Sequence, residues 1–193
     1  LLKSLGSEIK FSNNKKIIKI TKKKKQNFFA SYSLVRTMRA GILVLGALVA
    51  KHHKSITSLP GGCLIGARPV NYHLNALKKL GMKYEIKKGY IHAHTKGKLK
   101  GSKIRFSKIS VGATENTIIA SCLANGITIL RNCAIEPEII DLINFLKSGG
   151  AKIKFIGKRT IKIEGIKSLK STSYSVMSDR IETGTFCVAA CLT

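Results

Sequence analysis

One pattern returns along this chain at a spacing of about 70 residues, and it constrains the fold more than any other feature. Leu2-Lys-Ser-Leu-Gly6 leads into Glu8-Ile-Lys-Phe11 and then Lys16-Ile-Ile-Lys-Ile20. Leu77-Lys-Lys-Leu-Gly81 leads into Lys83-Tyr-Glu-Ile86 and Tyr90-Ile-His-Ala-His94. Leu146-Lys-Ser-Gly-Gly150 leads into Lys152-Ile-Lys-Phe155 and Thr160-Ile-Lys-Ile-Glu164. Each copy reads as a helix end, a glycine stop, a strand, a short turn and a second strand. The matched glycines are 75 and 69 residues apart.

The segments between the copies supply the remaining elements. Leu34 to Ala50 has the apolar periodicity of one helix, and Ser55 to Leu59 reads as a short strand. Pro69 to Leu80 predicts a helix with proline in its first turn. Thr114 to Asn125 predicts another, stopped by Gly126 and followed by a strand at Ile127 to Leu130. Glu136-Pro137-Glu138 opens a helix to Lys147, with acids at its positive end. The chain is therefore α/β (α+β), a βαβαββ unit repeated about three times with the first copy truncated. Three such units can close around a pseudo-threefold axis.

Composition narrows the function classes. With 44% hydrophobic residues in 193, the chain can bury a core, so global disorder is excluded. The longest apolar run, Gly41 to Ala50, is about half of what a bilayer crossing needs. No secretory leader is visible at Leu1-Leu2-Lys3. The chain starts without Met and stops inside an apolar run, so a fragment is expected. The net charge is +26, but it comes mainly from scattered lysines, and only Lys22 to Lys25 forms a dense run. With 6% aromatics and no aromatic-basic alternation, this reads as solvated surface or a match to a small polyanionic substrate rather than a nucleic-acid platform. The five cysteines are odd in number and lack a CxxC pair, which argues against disulfides or zinc and for a reducing cytoplasm. Cys122, Cys133, Cys187 and Cys191 read as small core hydrophobes, and Cys63 stands apart among glycines. His52-His53 and His92-Ala93-His94 lack a third ligand at suitable spacing, so no metal site is expected.

Five segments then carry a resemblance. They are Leu59-Pro-Gly-Gly-Cys63-Leu-Ile-Gly-Ala-Arg68-Pro-Val70, Val35-Arg-Thr-Met-Arg39-Ala, Ser110-Val-Gly-Ala-Thr-Glu-Asn116, Glu136-Pro-Glu138 and Asp179-Arg-Ile-Glu-Thr-Gly184. In order and spacing the chain resembles the UDP-N-acetylglucosamine 1-carboxyvinyltransferases of the enolpyruvyl transferase family, over roughly their middle half. The resemblance implies an inverse α/β barrel, the alpha-beta prism, in a two-domain protein with the active site in the interdomain cleft. Residues 1–177 would be most of one domain, and 178–193 the start of the return into the second. The implied reaction moves the enolpyruvyl group of phosphoenolpyruvate onto the 3′-hydroxyl of UDP-N-acetylglucosamine and releases phosphate, without a cofactor. The partners implied are these two small molecules and the remainder of the polypeptide.

The same resemblance suggests individual roles. Cys63 would be the acid that protonates the methylene carbon of phosphoenolpyruvate, in a lid loop hinged on Gly61, Gly62 and Gly66. A nearby Arg favours its thiolate. Arg68 would take the phosphate, as its planar fork suits. Arg39 would face the substrate cleft. Pro69, Val70, Asn71 and Tyr72 would embrace the uridine, although Asn71 stands where the family usually has Asp. Lys108, Ile109, Ser110, Val111 and Gly112 would serve the diphosphate and uridine, since amide groups at a helix start favour anions. Glu136 and Glu138 are sufficiently explained by their helix start, and Asp179 and Arg180 by a domain junction. The base for the hydroxyl and further substrate-binding residues would lie outside the chain, leaving it inactive alone. Two other readings stay open: an RNA-binding or RNA 3′-phosphate cyclase-like protein of related repeat fold, and a non-catalytic half-protein.

Overall fold

The structure, a computed structural model, describes residues 1–23, 26–61 and 69–193. Strands β1 (Ser7–Ser12) and β2 (Ile17–Lys22) form an antiparallel hairpin. Strand β3 (Phe29–Ala30), helix α1 (Tyr32–Val35), a 3₁₀ turn at Arg39–Ile42, helix α2 (Leu43–His52) and strand β4 (Lys54–Ser58) follow. Helix α3 (Asn71–Lys79) and strands β5 (Lys83–Lys87) and β6 (Tyr90–His94) complete that unit. The next unit contains β7 (Lys103–Arg105), α4 (Val111–Ser121), β8 (Ile127–Arg131), α5 (Pro137–Ser148), β9 (Lys152–Gly157) and β10 (Thr160–Glu164). Helix α6 (Arg180–Leu192) ends the chain.

The two complete units have one topology. Their sheets run β3-β4-β6-β5 and β7-β8-β10-β9, with the first pair parallel and the others antiparallel. Gly6, Gly81 and Gly150 all have positive φ, at 92°, 99° and 94°. That left-handed turn favours residues without Cβ; at Gly81 and Gly150 it releases the ends of α3 and α5 into the hairpins that follow, and at Gly6 it follows a turn.

The helices lie inside. Helices α2 and α4 pack on each other and are apolar or small on most faces, as expected of helices surrounded by protein. Helices α3 and α5 flank α4 and bury one stripe each. The sheets alternate: Ile91 and Ala93 of β6 and Ile161 and Ile163 of β10 point into the core. Much of the lysine lies on the outer faces, where Lys87 pairs with Glu85 at exposed positions and Lys162 with Glu164 at half-buried ones. These helix-inside, sheet-outside units are the repeats of the prism.

Several sequence expectations need correction. Leu34 to Ala50 is not one helix: the backbone breaks after α1 and re-enters through the 3₁₀ turn, because Met38 is extended. Pro69 precedes α3 by two residues rather than lying in its first turn. Helix α4 starts at Val111, three residues before Thr114, because Ser110 caps it. Cys122 and Cys133 are buried, and burial pushes both thiols up to about 12. Cys187 and Cys191 are exposed, since α6 buries none of its residues.

Candidate functional site

Three segments singled out by sequence converge at one end of the helical layer. The first is the 3₁₀ turn that begins at Arg39, which is half-buried. The second is the approach to α3, where Pro69 and Asn71 are exposed and Val70 and Tyr72 half-buried. The third is the approach to α4, from exposed Lys108 and Ile109 to half-buried Ser110, Val111 and Gly112. Cys63 and Arg68, with Gly62 and Gly66, lie outside the described residues. The start of their loop is described: β4 ends at Ser58, and the Leu59 N–H donates to the Gly89 carbonyl at 2.9 Å. Gly61 lies so close to the Arg36 backbone that a Cβ would come within 2.8 Å of its carbonyl oxygen.

The start of α4 is built to present amide hydrogens. Ser110 Oγ accepts from Ala113 N at 3.3 Å, and the Ser110 carbonyl accepts from Thr114 N and Thr114 Oγ1. First-turn N–H groups have no partner of their own within a helix, and together with the helix dipole they favour an anion. Lys108, two residues before the cap, adds a cation on the approach. Asn71 Oδ1 accepts from Tyr72 N at 3.0 Å, which takes one of its two lone pairs. Beside Tyr72, an open groove of about 550 Å³ runs between α3 and β7, with Lys79 and Arg105 along it.

Two buried polar residues, the last of the uridine stretch from Pro69 to His73 and the last of the segment from Ser110 to Asn116, join the three segments. Asn116 is fully buried on α4, and His73 is 4% exposed on α3. Asn116 Oδ1 accepts from Gly46 N at 3.0 Å, and its Nδ2 donates to the Ile42 carbonyl at 3.2 Å. The same Nδ2 lies 3.1 Å from His73 Nδ1. Burial, aided by the Arg39 charge, lowers the His73 pKa to about 4. Gly112 packs on the imidazole, where a Cβ would lie 3.2 Å from Cε1. In the sequence Asn116 sits between Glu115 and Thr117, so nothing local sets it apart; its burial does, because a buried amide needs polar partners.

Asp179 Oδ1 caps α6 through Ile181 N at 2.8 Å. Arg180 grips Glu138 with two bonds of 3.0 and 2.8 Å, tying α6 to the start of α5. Glu115 is half-buried, and burial together with Glu138 raises its pKa. Among the described residues, no group of three or more His, Cys, Asp or Glu could hold a metal ion, and no helix is long and apolar enough to cross a membrane.

The architecture is that of enolpyruvyl transferases. The enolpyruvyl transferase NikO from Streptomyces tendae aligns over 97% of this chain and 44% of its own, with a TM-score of 0.77 at 18% identity. EPSP synthase from Acinetobacter baumannii aligns over 99% of this chain and 43% of its own, with a TM-score of 0.69 at 20% identity. The family model for EPSP synthase (3-phosphoshikimate 1-carboxyvinyltransferase) matches residues 1–193, and the chain belongs to that family. Within it, the chain is 61% identical over its whole length to a UDP-N-acetylglucosamine 1-carboxyvinyltransferase from Pelagibacter ubique. It is 51% identical to a protein of the same name from Shewanella piezotolerans. The chain spans 46% of the length of each of these two relatives.

Proposed function

We propose that the full-length protein containing this chain transfers the enolpyruvyl group of phosphoenolpyruvate to the 3′-hydroxyl of UDP-N-acetylglucosamine and releases phosphate. The observation that carries the reading is the 61% identity, unbroken over all 193 residues, to a relative named for that reaction. The site chemistry agrees with it. The amide groups at the start of α4 and Lys108 supply positive potential for a diphosphate, with Val111 and Gly112 in the first turn. Ile109, Pro69, Val70, Asn71 and Tyr72 border the uridine. Arg39 and Arg68 hold anionic groups of the substrates. Cys63 protonates the methylene carbon of phosphoenolpyruvate while the sugar hydroxyl attacks the neighbouring carbon. The hydroxyl proton goes to a carboxylate outside this chain. Loss of a proton from the new methyl group and of phosphate then restores the double bond.

In this reading residues 1–177 belong to one domain, and 178–193 lead into the second. The reaction is the first committed step of peptidoglycan precursor synthesis, in the cytoplasm, and bears on cell shape and division. The test is phosphate release by the full-length protein. Release should require phosphoenolpyruvate and UDP-N-acetylglucosamine together. It should fall by at least about 100-fold in Cys63→Ala, as loss of a general acid predicts. Fosfomycin should alkylate Cys63, faster with the nucleotide sugar present. The 193-residue chain alone should give no turnover. Release supported by shikimate 3-phosphate instead of the nucleotide sugar would overturn the reading.

A further inference from the structure

The Asn116 side chain has its orientation decided by the backbone. The Gly46 N–H can only donate and the Ile42 carbonyl can only accept, so Oδ1 must face the first and Nδ2 the second. Nδ2 has two hydrogens. One goes to Ile42, and the other points at His73 Nδ1, 3.1 Å away. His73 Nδ1 is therefore an acceptor, and the imidazole carries its proton on Nε2, on the side that packs against Gly112. A proton on Nδ1 would set two donors against each other inside the core.

The amide also reaches into the first turn of α2, where the groups it binds are four residues apart. This contact demands glycine at position 46, since a Cβ there would overlap the Asn116 side-chain amide and lie 2.7 Å from the Asn116 backbone carbonyl oxygen. One buried side chain thus fastens the Arg39 turn to α4, and through His73 fastens α4 to α3. Each of those elements begins with residues named above as substrate-binding.

We propose that His73 and Asn116 are a positioning pair that sets the Arg39 turn, the start of α3 and the start of α4 in register for the nucleotide sugar, with His73 neutral and protonated on Nε2. The inference rests on the reading that the full-length protein binds UDP-N-acetylglucosamine. Neither residue needs to touch the substrate. A buried hydrogen-bonded pair resists shear between the helices that carry the binding groups, and small misplacements of such groups weaken binding steeply.

The experiment compares His73→Leu, which keeps bulk but removes the acceptor, with His73→Asn, which returns an oxygen near the Nδ1 position. Calorimetry with the full-length protein should show UDP-N-acetylglucosamine binding weakened about tenfold or more in His73→Leu and restored to within about threefold in His73→Asn. In steady state the loss should appear in KM for the nucleotide sugar more than in kcat. Long-range ¹⁵N–¹H spectra of the histidine-labelled wild-type protein should show His73 as the neutral Nε2–H tautomer. That measurement stands even where a variant fails to fold. An Nδ1–H tautomer, or equal affinities for wild type and both variants, overturns the pair while leaving the proposed function intact. Failure of the wild-type protein itself to bind UDP-N-acetylglucosamine overturns the proposed function and the pair's substrate together.

Discussion

The final hairpin of each unit is written in nearly the same way, but it has two different fates. In the complete units, Ile91 and Ile161 occupy matching places on β6 and β10, opposite Ile86 and Phe155, and both are 0% exposed. In the first copy, Ile18 lies on β2 opposite Phe11 with the same register, and it is 55% exposed. The difference lies in the neighbours. Strands β6 and β10 each have a strand on both sides and helices beneath. Among the described residues, β2 pairs with β1 alone. Binary pattern chooses which face of a strand is apolar, and burial requires a second layer to cover that face.

The largest expected effect tests this pair directly. Ile161→Ala should lower the unfolding free energy of the chain by about 4 kcal/mol, measured by denaturant titration, because it empties a packed site. Ile18→Ala should lower it by less than about 1 kcal/mol, because that side chain still meets water. Equal losses would mean that the first hairpin is as well covered as the others. In the full-length protein the loss at Ile18 should grow toward that at Ile161.

The next effect concerns pH. His73 has an ordinary value of 6.5 and is lowered to about 4 by burial, with Arg39 adding to the shift. Above pH 6.5 neither the folded nor the unfolded form binds the proton, and the contribution is complete. As pH falls from 6.5 to about 4 the unfolded chain takes up a proton that the folded chain refuses, and roughly 3 kcal/mol of stability is lost. Denaturant titrations across that window should show the slope, and His73→Asn should flatten it. The β1–β2 hairpin lies away from this group, so its amide protection, relative to an unfolded chain at the same pH, should stay low throughout, while β6 and β10 amides lose protection as pH falls.

The smallest effect is local. Ser110→Ala removes the cap of α4 and should cost about 1 kcal/mol in thermal or chemical unfolding. In the full-length protein it should also weaken nucleotide-sugar binding, because the first-turn amides lose their fixed direction. Helix α4 belongs to the second complete unit and packs on α2 and α3 of the first, so this loss should spread to β8 and β10 but not to β1 and β2.

Much of the fold was legible from local chemistry. The glycines at 6, 81 and 150, the alternation in the paired strands and the Glu136-Pro137 helix start all express preferences of a few adjacent residues. The segments proposed to bind substrate stood out through their resemblance to the family. Other features were hidden by the same locality. The break after Val35 lies in a stretch whose apolar spacing fits one helix, and it reflects how the Arg39 turn packs. The apolar face of α6 resembles a core helix, but among the described residues nothing buries it.

The sequence alone determined the order of most strands and helices, which strand faces are apolar and where the backbone must turn left-handed, because those depend on side-chain sterics and near neighbours. Tertiary structure decided that Ile161 is dry while Ile18 is wet. It also decided that Gly46, His73 and Asn116, separated by 70 and 43 residues along the chain, share one amide. Water exclusion and the pairing of buried polar groups depend on which distant segments meet, and no local pattern encodes that meeting by itself.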